Sequence, residues 1–242
     1  MMGTHTTFPE LSSMELFRKA LPVVGPQSAI ADRLCAIGRF RCLARGEELV
    51  TQENDDFLVF VASGSAKLIA RSKECEAGDA SKEAHQILSF HFPGDIVSVV
   101  RHPSGLVCLG ALDRLELVIF DTDQFLDTAH NEPLVLRTIL TKSLQALQRS
   151  RTKVIQMGHK SARQRVAGFL VSIAARVCGG TEGKCQFSLP MCRSDIADSL
   201  GLTIETVSRQ FSELKREGLL STEGRAGIAL PDIEALRREA GP

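Results

Sequence analysis

The sequence has no tryptophan and no tyrosine, so recognition of any partner cannot lean on those side chains. It has no apolar run approaching the roughly 18–20 residues that span a bilayer, so no membrane partner is expected. Met1 to Glu15 lacks a basic stretch followed by an apolar one, so no signal peptide is evident. Its seven cysteines are odd in number and scattered, which fits a reducing cytoplasm better than a disulfide framework. Net charge is absent too, with 29 basic and 29 acidic residues. That balance would argue against a nucleic-acid partner only if it were uniform. Residues 1–150 carry 15 basic and 19 acidic side chains, and residues 151–242 carry 14 and 10. Between Pro133 and Thr181 stand Arg137, Lys142, Arg149, Arg151, Lys153, Lys160, Arg163, Arg165 and Arg176, with no acidic residue. The asymmetry points to a polyanion partner for the second half.

What is present describes a globular chain of 242 residues, long enough for one large domain or two smaller ones. Leu11, Met14, Leu16, Phe17, Leu21, Ile30, Leu34 and Ile37 recur at helical spacing, and Pro22, Gly25 and Pro26 divide them into two short helices. From about Phe40 to Phe120 the texture changes to short apolar runs separated by Gly, Pro and Asp. These are Phe57–Ala62, Ala66–Ala70, Gln86–Phe92, Ile96–Val100, Gly105–Ala111 and Leu115–Phe120. They predict an antiparallel sandwich or barrel, with Ser63-Gly64-Ser65 and Pro93-Gly94-Asp95 as hairpin turns and polar Ser72–Glu83 as an exposed excursion. Thr122 or Asp123 is placed to cap a helix, and a longer helix starts near Pro133. Leu140, Leu147 and Val154 lie seven apart, with Leu136, Ser143, Ser150 and Met157 as a companion row. This heptad seam fits either a helix packed on its own domain or a homodimer helix. Gly158 is read as a hinge, with the domain boundary near 155–160. Ser161–Val177 resumes a helix with Val166, Phe169, Leu170, Ile173 and Val177 on one face.

Leu189–Leu220 is the most informative stretch. It reads as a short helix (Arg193–Ser199), a turn (Leu200-Gly201-Leu202) and a longer helix (Thr203–Glu217) capped by Thr203 and stopped by Gly218. Ile204, Val207, Phe211 and Leu214 form one apolar stripe, and Ile196, Ala197 and Leu200 another, as in a helix-turn-helix. The outward face then carries Glu205, Thr206, Ser208, Arg209 and Ser212. Arg donates twice to guanine, Glu accepts from cytosine, and Ser and Thr reach bases or phosphates. An ordinary solvated helix face would look similar; the basic segment before it and the wing-like Ser221–Leu230, with Arg225 at its tip, favour DNA.

On these residues the chain resembles the CRP/FNR family of bacterial transcription regulators over nearly its whole length. The resemblance rests on the strand-rich region with its two glycine turns, the long helix, Ala162–Leu170 (ARQRVAGFL) and LPMCRSDIADSLGLTIETVSR. Glu205-Thr206-Val207-Ser208-Arg209 matches the E-x-x-S-R recognition helix of the FNR and FixK branches. The resemblance implies an α+β protein. Residues 1–132 would form an antiparallel β-roll (a jelly-roll like a cyclic-nucleotide-binding domain), 133–158 a dimerisation helix and hinge, and 159–242 a winged helix-turn-helix. It implies a homodimeric regulator, an activator that also touches RNA polymerase. Its site is a TTGA…TCAA palindrome read by Glu205, Ser208 and Arg209, with half-sites about one turn apart. Lys160, Arg193, Thr203, Thr206, Ser212 and Arg225 would hold the DNA backbone, and Leu136, Leu140, Leu147 and Val154 the dimer.

Departures from the family bear on what is sensed. Cyclic-nucleotide binders clamp the phosphate with an Arg-Ser or Arg-Thr pair, where this chain has Val107-Cys108-Leu109-Gly110-Ala111 and only Arg101 nearby. Cys35, Cys42, Cys75 and Cys108 lack the close spacing of iron–sulfur ligands. Cys178, Cys185 and Cys192, each seven apart, do not match zinc-ligand spacing. No cofactor is expected, with haem, through His85, His91 or Cys75, kept as the alternative for a ligand-gated regulator. Cys192 stands at the start of a helix beside Arg193, a position that favours the thiolate. Its oxidation would add negative charge near the DNA backbone, against the plain alternative of Cys replacing Ser without consequence. A cupin-like enzyme with an accessory helix-turn-helix is the remaining reading, opposed by the lack of a His-x-His, G-x-S-x-G or H-E-x-x-H motif.

Overall fold

Apolar residues alternating along the strand-rich region require two buried faces, and a computed structural model shows both. It describes residues 8–21, 29–50, 56–72, 85–100, 105–180, 182–224 and 226–241. The chain divides into two compact units, Met1–Ser150 and Arg151–Pro242. In the first, the strands are β1 (Arg39–Leu43), β2 (Glu48–Val50), β3 (Phe57–Ser63), β4 (Ala66–Ser72), β5 (His85–His91), β6 (Ile96–Val99), β7 (Gly105–Ala111) and β8 (Leu115–Asp121). They form two antiparallel sheets, ordered β1-β8-β3-β6 and β2-β7-β4-β5. Successive residues of β3 point to opposite faces. Val59 and Val61 join Val97, Val107, Leu109, Leu115 and Leu117 between the sheets. Leu58, Phe60 and Ala62 join Phe17, Leu34, Phe120, Phe125 and Val135 on the outer side. That outer side is covered by α1 (Phe8–Ala20), α2 (Ala29–Ile37), α3 (Thr122–Ala129) and the start of α4 (Pro133–His159).

The two glycine turns differ from the hairpins expected. β3 and β4 lie in different sheets, as do β5 and β6, so each turn carries the chain from one sheet to the other. Gly64 has φ +83°, and a Cβ there would sit 2.2 Å from the Arg114 carbonyl oxygen. Gly94 has φ +88°, and the Asp95 carboxylate accepts from the Phe92 N–H at 3.0 Å. Such positive φ angles favour glycine. The α3 cap is Asp121, one residue earlier than expected, its carboxylate accepting from Gln124 N–H.

Gly158 does not interrupt α4, which continues to His159; the break falls at Lys160, and Ser161 caps the next helix reciprocally with Gln164. Leu136 is half-buried against the first unit's core, so it does not belong to an exposed seam. The stripe α4 leaves exposed is Leu140, Leu144, Leu147 and Val154, with Ile155 beside it.

The second unit holds α5 (Ala162–Val177), β9 (Cys185–Ser188), α6 (Arg193–Leu200), α7 (Ile204–Arg216), β10 (Ser221–Glu223), β11 (Gly227–Leu230) and α8 (Ile233–Ala240). Val166, Phe169, Leu170 and Ile173 are buried as expected, but Val177 is exposed at the end of α5. β11 pairs with both β10 and β9, giving the wing a third strand. α8, capped by Asp232, was not expected. Nor was the disulfide joining Cys178 to Cys185, which corrects the expectation of unpaired cysteines. The α5 terminus and the first residue of β9 are brought together by a short glycine-containing loop, a closeness that residue spacing alone does not reveal. Among the described residues no helix is long and apolar enough to cross a membrane.

Candidate nucleic-acid interface

α6 and α7 form the helix-turn-helix, and each cap is set by local chemistry. Cys192 caps α6: its Sγ accepts from the Asp195 N–H, while the Asp195 carboxylate accepts from the Cys192 N–H at 2.9 Å and from the thiol at 3.1 Å. The turn closes on Gly201, left-handed at φ 62°, and the Leu202 N–H donates to the Ala197 carbonyl. Thr203 then caps α7, its hydroxyl oxygen accepting from Thr206 N–H at 3.2 Å.

Val207, Phe211 and Leu214 fix α7 to the unit, together with Gln210, which is only 7% exposed. Ile204 does not share that stripe; it is 46% exposed at the first helical position, where the chain has not yet reached the core. Glu205, Ser208, Arg209 and Ser212 are exposed, and Thr206 is half-buried. Hydrogen bonds from its own backbone N–H and from Thr203 hold the Glu205 carboxyl below the usual range, so it stays an anionic acceptor. The Arg209 guanidinium forms no ion pair among the described residues. Ser212 differs, since its hydroxyl donates to the Ser208 carbonyl at 2.9 Å.

Two cations assigned to DNA, Lys160 and Arg193, are engaged within the protein. Lys160 donates to the Ala240 carbonyl at 2.8 Å and to the Gly241 carbonyl, closing the end of α8. Arg193 lies over the Phe211 ring, 3.4 Å from its centroid, and burial lowers its pKa. Part of the basic run is likewise bonded within the protein, while Arg137, Arg149 and Arg151 are exposed. Lys142 donates to Gly94, Lys153 to Ser199, and Arg163 to Glu217 and Glu239. Arg165 donates to the Met157, Lys160 and Leu200 carbonyls. Lys142, Lys153, Arg163 and Arg165 thus have acceptors within their own units, a reason for the charge asymmetry that composition could not show. Arg225 lies outside the described residues, as do Cys75 and Arg101. His85 is exposed. His91 is buried, its Nε2 paired with the Ser89 hydroxyl at 2.8 Å and its Nδ1 3.4 Å from Asp95.

The Thr203 cap, a buried apolar stripe and an exposed Glu-x-x-Ser-Arg face make α7 a helix whose polar face is open over its first two turns. Residues 164–239 match a Crp-like helix-turn-helix domain. The chain is 30% identical over 207 residues to transcriptional activator protein FnrL of Cereibacter sphaeroides, covering 84% of this chain and 80% of that one. It is 34% identical over 152 residues to nitrogen fixation regulation protein FixK of Rhizobium meliloti, covering 63% and 67%. The solved structure of FixK2 from Bradyrhizobium japonicum matches with a TM-score of 0.70 at 26% identity, over 85% of this chain and 98% of that one.

Proposed function

Because the chain belongs to the CRP/FNR family of DNA-binding transcription regulators, and is not an enzyme, we propose that it acts as a homodimer reading a TTGA…TCAA palindrome through α7. The observation that carries this reading is the exposed Glu205, Ser208 and Arg209 face, held by buried Val207, Phe211 and Leu214. Arg209 donates two hydrogen bonds to guanine, Glu205 accepts from cytosine, and Ser208 reaches an adjacent base. Exposed Ile204 lies where an apolar side chain meets a thymine methyl group. Thr203, Thr206 and Ser212 flank this face toward the phosphates. Since Lys160 and Arg193 bond within the protein, their effect on DNA is to hold α8 and α7 in place. The exposed stripe of Leu140, Leu144, Leu147 and Val154 supplies the two-fold contact that a palindrome requires. The test is fluorescence anisotropy with a TTGA…TCAA duplex and a scrambled one. A preference of 10³-fold or more is expected at physiological salt, and equal affinity for both contradicts the reading.

Oxidation of Cys192 inactivates this head. The thiol is exposed and caps α6, so a sulfenic or sulfinic acid there adds a polar or anionic group and disturbs the Asp195 hydrogen bonds. Arg193 is turned onto Phe211 and the thiol donates to the Asp195 carboxylate, so oxidation disturbs the cap geometry.

A further inference from the structure

We propose that Cys178 and Cys185 form a dithiol–disulfide redox site on the DNA-binding unit, separate from Cys192, that exchanges with low-molecular-weight disulfides and thiols. The two residues are already bonded, with Cα atoms 6.3 Å apart, inside the range that a disulfide spans without backbone movement. Their surroundings differ in a way that directs exchange. Cys178 is the exposed C-cap of α5, whereas Cys185 is 5% exposed and begins β9, paired with Leu230 of β11. The loop between them contains Gly179, Gly180 and Gly183, and a Cβ built at any of the three meets nothing within 4 Å. Cys178, the exposed member of the pair, is therefore the one that an external thiol or disulfide meets first.

Oxidation proceeds when the Cys178 thiolate attacks a disulfide such as oxidised glutathione, forming a mixed disulfide and releasing one glutathione thiolate. Cys185 then attacks the Cys178 sulfur, closing the intramolecular bond and releasing the second. The two protons lost from the protein thiols pass to the two released thiolates, and glutathione disulfide takes up both electrons. Reduction reverses the order: an external thiolate attacks the exposed Cys178 sulfur, and buried Cys185 leaves. Cys108 is poorly suited to such chemistry, since burial pushes its thiol pKa up to about 11.

The bond clamps the first residue of β9, and through β11 the wing, to the end of α5. The Gly183 carbonyl also accepts from Ile233 N–H, so the same loop holds the start of α8. With the bond broken, β9 keeps only its ladder and packing. A consequence for DNA rests on the reading above, whereas the thiol chemistry does not.

The experiment uses the full chain carrying Cys192→Ser, equilibrated in glutathione buffers of graded redox poise. Remaining thiols are trapped with iodoacetamide and mapped by peptide mass spectrometry, and thermal unfolding is followed at the two extremes. Cys178 and Cys185 should lose alkylation together in one two-electron transition, with a linked Cys178–Cys185 peptide. The oxidised form should unfold about 10 °C higher. In a Cys178→Ser, Cys192→Ser chain that linked peptide and that thermal difference should both vanish. A pair still alkylated at the most oxidising poise, or a glutathione adduct on Cys178 with Cys185 free, overturns the proposal. So does an unchanged melting temperature. None of these results depends on operator binding, which is scored separately on the reduced protein.

Discussion

The guanidinium of Arg165, on α5, donates to the Met157 carbonyl at 2.6 Å, across the break that separates α4 from α5. It also donates to Lys160 and to Leu200, so one side chain joins the last turn of α4, the following loop and the end of α6. Met157 completes the contact, its Cε lying where a Cβ at Gly201 would meet it at 3.0 Å. The turn of the helix-turn-helix is thereby fixed to the helix end beside it. Arg165→Ala should destabilise the second unit by about 2–3 kcal/mol, the range for losing hydrogen bonds from a charged donor to part-buried acceptors. Urea denaturation measures this, and an unchanged midpoint would show that water replaces the guanidinium without cost.

Arg209 and Glu205 should separate specificity from general affinity. Arg209→Ala is expected to cost about 1–3 kcal/mol on the preferred duplex and to relax discrimination at one guanine, leaving random DNA little affected. Glu205→Gln should relax the neighbouring cytosine. Equal losses on specific and random duplexes would mean that these residues touch phosphates rather than bases.

Along α4, Leu144 and Leu147 are 56% and 46% exposed, too open for residues packed on their own unit. Leu144→Asp or Leu147→Asp should convert a dimer to a monomer in sedimentation velocity at low micromolar concentration and abolish tight operator binding. A retained dimer would move the two-fold contact elsewhere.

Lys153 carries a pH dependence whose sign follows from burial. Its pKa is lowered to about 8 from 10.5, while its ammonium donates to the Ser199 hydroxyl at 3.0 Å. Between those two values the unfolded chain holds a proton at this site that the folded chain has released. Stability from this group therefore rises as pH climbs through the window, and below pH 8 the folded state bears the cost of the buried charge. Compared with Lys153→Met, the wild-type chain should gain stability from pH 7.5 to 9.5. A constant difference between the two denaturation midpoints would exclude that origin.

Peroxide should weaken operator binding by the wild-type chain and spare Cys192→Ser, which keeps a cap hydroxyl. Equal losses in both would place the oxidation elsewhere.

The parts of the molecule legible in the sequence are those governed by local rules. Thr203 as a cap, Gly201 in the turn and the Val207–Phe211–Leu214 stripe follow from helical spacing and backbone preference. What escaped depends on distant partners. Ile204 continues the stripe's spacing but lies beyond the edge of the core, and Leu136 and Leu144 exchange roles because the first unit covers one side of α4. The glycine turns were evident, but not that they pass between sheets, since pairing is decided by β7 and β8 far along the chain. Lys160 reads as a phosphate ligand in sequence because the Ala240 carbonyl it caps is 80 residues away. Cys178 and Cys185 carry no signal in their spacing, and only the strand entering the wing brings them together.

In the proposed dimer, two copies of α7 read DNA together. Selection of bound sequences from random duplexes, with the reduced wild-type chain and with Arg209→Ala, addresses it directly. The expected result is an inverted repeat of TTGA and TCAA half-sites one helical turn apart, whose guanine preference fades in the variant. An unpaired half-site, no enriched sequence, or an identical repeat from both proteins would contradict it.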